Sequence, residues 1–154
     1  MKDRYHPLAK YWEEFQIGDV FVSPFRTVTE ADIVNFTAVS GDYNPLHTDK
    51  MFAENTMFGE RIAHGLLGLS IATGAMSRLG FVEGTVEAFL GLNWRFTAPV
   101  KIGDSIRTEF KVKGKKEGKR PGYGILTLEV KVKNQKAETV QHGDWYLLVR
   151  KKPD

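Results

Sequence analysis

A chain of 154 residues with 42% hydrophobic content is enough for one domain with its own core, and residues 1–154 are expected to form that single unit. Its 22 basic and 19 acidic residues give a formal charge of +3 and alternate in sign along most of the chain, which points to a solvated surface and away from a nucleic-acid partner. With no cysteine there is no disulfide, thiolate metal site or cysteine nucleophile, and with neither a signal-peptide run nor the ~18 apolar residues of a membrane span the expectation is a soluble cytoplasmic protein.

In chain order, Ile17-Gly18-Asp19 and later Ile102-Gly103-Asp104 each precede an alternating apolar segment. Glycine supplies a positive φ and aspartate closes the turn, so both mark strand entrances. Thr29-Glu30-Ala31-Asp32 reads as a capping box before a short helix to Ser40, with Ile33, Phe36 and Val39 sharing a face and Gly41 as the stop. A second helical pattern runs from Ile62 to Leu79, so apolar that burial on most sides is expected. Its small residues, among them Gly65, Gly68 and Ala72, allow a sheet to approach closely.

After Gly80 the period changes to two. Ile106, Thr108, Phe110 and Val112 alternate with charged residues, as do Leu126, Leu128, Val130 and Val132, so each strand has one dry and one wet face. The segments 86–96 and 137–150 carry bulk on both sides and are predicted as central strands. The tract 113–122 reads as a basic hairpin tip, either a solvated turn or a partner for phosphates. One early strand, a buried helix and a run of antiparallel strands make an α+β domain in which a curled sheet wraps a helix. The pattern alone leaves open which of the one-helix-on-sheet folds this is.

The chemically dense stretch is Gly41-Asp42-Tyr43-Asn44-Pro45-Leu46-His47, followed by Asp49. Pro45 fixes its own φ and biases Asn44 away from helix, so a stiff extended or turned loop is expected to aim Asp42 and His47 at one point. Asp and His are the residues that hydration of an α,β-unsaturated thioester needs for activating water and returning a proton. Asn44 offers an amide to orient water or substrate, and the helix opening at Ala63-His64-Gly65 offers unpaired N–H groups for an enolate oxygen. Taken alone, Asp42 and Asn44 also fit a plain Asx turn.

The string DYNPLH followed by AHG resembles the hydratase motif of the MaoC-like (R)-specific enoyl-CoA hydratases, as do FQIGD, the T-x-x-D-I helix and the Arg95–Asp104 segment. The resemblance implies a hot-dog fold, and Asp42 and His47 as the pair that activates water and protonates the α-carbon. It also implies the Gly65 N–H as carbonyl-oxygen donor, Asn44 as a positioning residue and Ser70 as a supporting group further along the helix. The product implied is an (R)-3-hydroxyacyl thioester. The expected partners are an acyl-CoA or acyl-carrier-protein thioester and a second copy of the chain, sheets joined edge to edge and helices back to back.

No cofactor is expected. Asp42, His47, Asp49 and His64 lack regular metal-ligand spacing, so no metal is expected either. His64 is open between ligand, base and packing or capping residue. Trp94, Phe96, Trp145 and Tyr146 either line an acyl tunnel or belong to the core. Two other functions compete: a hot-dog thioesterase, which sends water to the carbonyl carbon, and a non-catalytic subunit that holds an acyl thioester.

Overall fold

The computed structural model describes residues 5–153. Both Ile-Gly-Asp segments are tight turns with glycine at positive φ, 97° at Gly18 and 93° at Gly103, and in both the aspartate carboxylate accepts a backbone N–H three residues earlier. The first opens β1 (Val20–Val22), which a two-residue strand, β2 (Arg26–Thr27), follows on the same edge. Helix α1 (Glu30–Ser40) carries the expected capping box, Thr29 and Asp32 each bonding the other's backbone. Its buried residues are Ile33 and Thr37; Val39, predicted on that face, is exposed.

The motif loop is half helix. Pro45 occupies the first turn of α2 (Pro45–Thr48), where it needs no N–H partner, and α3 (Lys50–Glu54) follows without having been foreseen, five residues being too few to show a period. The long helix α4 (Gly65–Arg78) begins three residues later than its apolar pattern. Ile62 instead bridges Lys101 and the Ala63 N–H donates to Val100, so this stretch is extended. Only one face of α4 is buried, Leu67, Gly68, Ala72 and Met76; Leu66 and Ser70 are exposed, which corrects the expectation of burial on most sides.

Four long strands complete the sheet: β3 (Val86–Phe96), β4 (Ser105–Glu117), β5 (Tyr123–Asn134) and β6 (Thr139–Arg150). All pairings are antiparallel, in the order β1-β4-β5-β6-β3. The dry faces fall as the alternation requires, with Phe110, Val112, Leu126, Leu128, Val130 and Val132 at 0% exposure and packed with the buried face of α4. A curled antiparallel sheet around one helix is the hot-dog arrangement. Strand β6 is internal as predicted, but β3 is an edge strand: the apolar bulk on both its faces leaves Phe89, Leu90 and Leu92 partly exposed. The basic tract is also displaced from the turn, because β4 continues through Glu117.

Candidate active site

His47 comes to the site on α2 and is buried. Its Nδ1 lies 2.7 Å from the Ile62 carbonyl oxygen, which can only accept, so Nδ1 carries the proton and in the neutral ring Nε2 is left with a lone pair. The early end of α4 explains this contact. Were Ile62 helical, its carbonyl would turn into the helix ladder; extended, it is free to hold the imidazole. No side-chain pattern announces a backbone acceptor, so this partner was not visible in the sequence.

Asp42 lies at the exposed end of the loop. Its Oδ1 accepts the Asn44 N–H at 3.2 Å, and Asn44 in turn caps α2, its Oδ1 accepting the Leu46 N–H at 3.0 Å. Both side chains therefore do the turn-forming work of Asx residues, and the Asn44 amide oxygen is engaged in capping.

His64, buried at the N-cap of α4, joins the two ends. Its Nε2 donates to the Asp42 carbonyl at 3.0 Å, with the Thr37 hydroxyl at 3.4 Å, and its ring stacks on His47 at 3.8 Å between centroids and 31° between planes. It packs and positions the loop; its buried Nδ1 has no partner. The side-chain ligand atoms of Asp42, His47 and His64 lie within 4.8 Å of one another, close enough to be weighed as a metal cluster. Two of the four imidazole nitrogens in it are already committed to carbonyl oxygens.

Gly65 opens α4. The first helical bonds run from the Leu67 and Gly68 N–H groups to the His64 carbonyl, and no side chain caps the helix, so the Gly65 N–H points out of the ladder at the positive end of a 14-residue helix. A β-carbon here would come within 2.7 Å of the Phe96 ring, so glycine is what lets that ring close over the helix start.

Beside these groups is a cavity of about 480 Å³, within the range of small-molecule sites. His47 and Gly65 both line it, with Met57, Leu66 and Phe96 at its exposed side and Gln141 in its depth. A second cavity of about 270 Å³ lies on the other side of His47, walled by Thr37, Tyr43 and Arg61. Arg61 pairs with Glu30 at 2.7 Å, which fastens the start of α1 beside the site and through that bond holds the Glu30 carboxyl below, and the Arg61 guanidinium above, their ordinary values.

Asp42, His47 and His64 thus converge, and His47 shares its cavity with Gly65. Ser70 does not: it is exposed, its hydroxyl donates to the Leu66 carbonyl, and it lines a different cavity with Arg26 and Arg78. Of the four aromatics, Trp145 is fully buried core, Phe96 lines the cavity, Trp94 donates to Gln141 and Tyr146 accepts from Asn93. In the basic tract Lys113 pairs with Asp144 at 2.6 Å, Lys115 donates to the Phe15 carbonyl and lies over Trp12, and Arg120 lies over Tyr123.

The family model of the MaoC like domain matches residues 14–134. Protein MaoC of Klebsiella aerogenes is 45% identical over 114 residues, 74% of this chain but 34% of that protein, so the chain spans about a third of its length. An (R)-specific enoyl-CoA hydratase of Aeromonas caviae is 34% identical over 105 residues, covering 68% of this chain and 74% of that one. Among solved structures, an Archaeoglobus protein described as a monoamine oxidase regulatory protein superposes with a TM-score of 0.88 at 39% identity, over 94% of this chain and 97% of that one. No described helix is long and apolar enough to cross a membrane. On these matches the chain belongs to the MaoC-like hydratase and dehydratase family.

Proposed function

We propose that the chain is an enzyme hydrating trans-2-enoyl thioesters, with enoyl-CoA as the expected form, to (R)-3-hydroxyacyl thioesters, or catalysing the reverse. The observation that carries this is a cavity lined by both His47, whose Nδ1 is held by the Ile62 carbonyl and whose Nε2 keeps its lone pair, and Gly65, at the uncapped start of α4.

In this mechanism a water held between the Asp42 carboxylate and His47 Nε2 attacks C3 of the substrate. Together they take the water's proton, and the one that receives it returns it to C2, so that H and OH are added, both groups end as they began and no electrons leave the system. As the C2–C3 π electrons move toward the thioester, its oxygen gains charge, and the Gly65 N–H stabilises it at the helix's positive end. Asn44 positions Asp42 through the turn they share, and His64 positions both ends of the loop. No cofactor enters these steps.

The same chemistry in a second copy completes the assembly we propose. The apolar Phe89, Leu90 and Leu92 on the free β3 edge suit strand-to-strand pairing in a homodimer. The test of function is to mix the protein with crotonyl-CoA and follow enoyl absorbance and free thiol together. Loss of absorbance without thiol is expected; thiol release identifies a thioesterase, and silence across chain lengths a binding subunit.

A further inference from the structure

Gln141 is the least exposed residue lining the cavity beside His47, at 2%, and the floor it makes is polar and braced. Its Nε2 donates to the Gly65 carbonyl at 3.1 Å, and its Oε1 accepts the Trp94 indole N–H at 3.1 Å. The indole can only donate and the carbonyl only accept, so the amide has one orientation.

Two glycines make room for this brace. Trp94 pairs with Gly143 across the sheet, and a β-carbon there would crowd the indole, so the bare strand lets the ring lie over it toward Gln141. Behind the amide is Gly68 of α4, where a β-carbon would overlap the side chain. Beyond Gly68, on the same helix face, come Ala72 at 0% and Met76 at 7% exposure. The amide therefore fills the space that Gly68 leaves at the head of the buried face of α4, next to the core residues Ala72 and Met76.

We propose that Gln141, held by Trp94 and the Gly65 carbonyl, closes the acyl end of the pocket and restricts the protein to short acyl thioesters, an inference that rests on the acyl-thioester reading above. A longer apolar chain can enter only by displacing the amide, which breaks its part-buried bonds to the Gly65 carbonyl and the Trp94 indole N–H. Because glutamine and leucine have similar volumes, the plug is distinguishable from the hydrogen bonds that hold it.

The test compares calorimetric binding of butyryl-CoA and octanoyl-CoA, saturated probes that do not react, with hydration of crotonyl-CoA and trans-2-octenoyl-CoA run in parallel. The wild type is expected to bind octanoyl-CoA no more tightly than butyryl-CoA. Gln141→Ala is expected to improve the octanoyl-to-butyryl ratio by roughly tenfold or more, for up to four newly buried methylenes. Gln141→Val shifts it in the same direction and serves if the alanine variant does not fold, while Gln141→Leu keeps the wild-type ratio. A wild type that already favours octanoyl-CoA, or a ratio unchanged in both shortened variants, overturns the proposal, as does failure to bind either probe. A ratio that shifts while no enoyl thioester is hydrated upholds the plug and defeats the hydratase reading; hydration with an unshifted ratio does the reverse.

Discussion

Replacing Asp42 with asparagine separates chemistry from structure in one step. Two of the bonds that hold position 42 are made by its backbone: the N–H to the Ser40 hydroxyl at 3.2 Å and the carbonyl from His64 at 3.0 Å. The third, from the Asn44 N–H to Oδ1, is one an asparagine oxygen also accepts. The residue is exposed, so no cavity forms and the stability change should stay within about 0.5 kcal/mol, or a Tm shift under about 2 °C. What is lost is the carboxylate's capacity to take or give a proton. A positioned acid or base contributes roughly 100- to 10,000-fold, about 2.7–5.4 kcal/mol of barrier. The assay is kcat/KM on crotonyl-CoA beside a thermal melt. Full activity with an unchanged Tm refutes the role given to Asp42, and parallel loss of both shows that the residue is structural. His47→Gln should lose at least as much activity but also stability, because the buried ring holds the Ile62 carbonyl and stacks on His64.

Gly143→Ala sets a new methyl against the Asn93 backbone carbonyl, which cannot swing aside as a side chain does. Strands β3 and β6 must part, and a loss of about 1–3 kcal/mol is expected by denaturant titration. Asp32 tests acid stability: burial raises its carboxyl, but the Thr29 N–H, the Arg26 guanidinium and the Thr29 hydroxyl outweigh it, leaving the group below its ordinary 3.8. The folded state thus binds fewer protons than the unfolded one, so this contribution is complete above about pH 4 and is lost as pH falls through the depressed value. Asp32→Asn should flatten the fall in Tm between pH 5 and 2 relative to wild type; identical profiles contradict it. Leu90→Lys, on the free β3 edge, should convert the expected dimer to monomer by light scattering, and a wild-type monomer removes the dimer proposal.

How much of this was legible beforehand follows from what side chains announce. Period-two alternation fixed the dry faces of β4 and β5, because burial on one face of a strand is written in every second residue. The capping box at Thr29 and the two Ile-Gly-Asp turns were equally plain. Apolar content misled at β3 and α4. Bulk on both faces of β3 reads as a central strand, yet in the described chain it marks an edge; the apolar run from Ile62 reads as helix, yet its first residues pair with 100–101. That displacement matters most for the site, since it frees the Ile62 carbonyl to set the His47 tautomer. Gln141 went unseen because a lone glutamine in a strand has no spacing to mark it, and its importance comes from Gly68, Trp94 and Gly65, distant in sequence and adjacent in space.

The central claim, that water is delivered to C3 of an enoyl thioester, is tested most directly by turning over crotonyl-CoA in water enriched in oxygen-18 and locating the label by mass spectrometry. Label in the 3-hydroxyl of a product still joined to CoA is the expected result. Label in a free carboxylate, with CoA released, contradicts it.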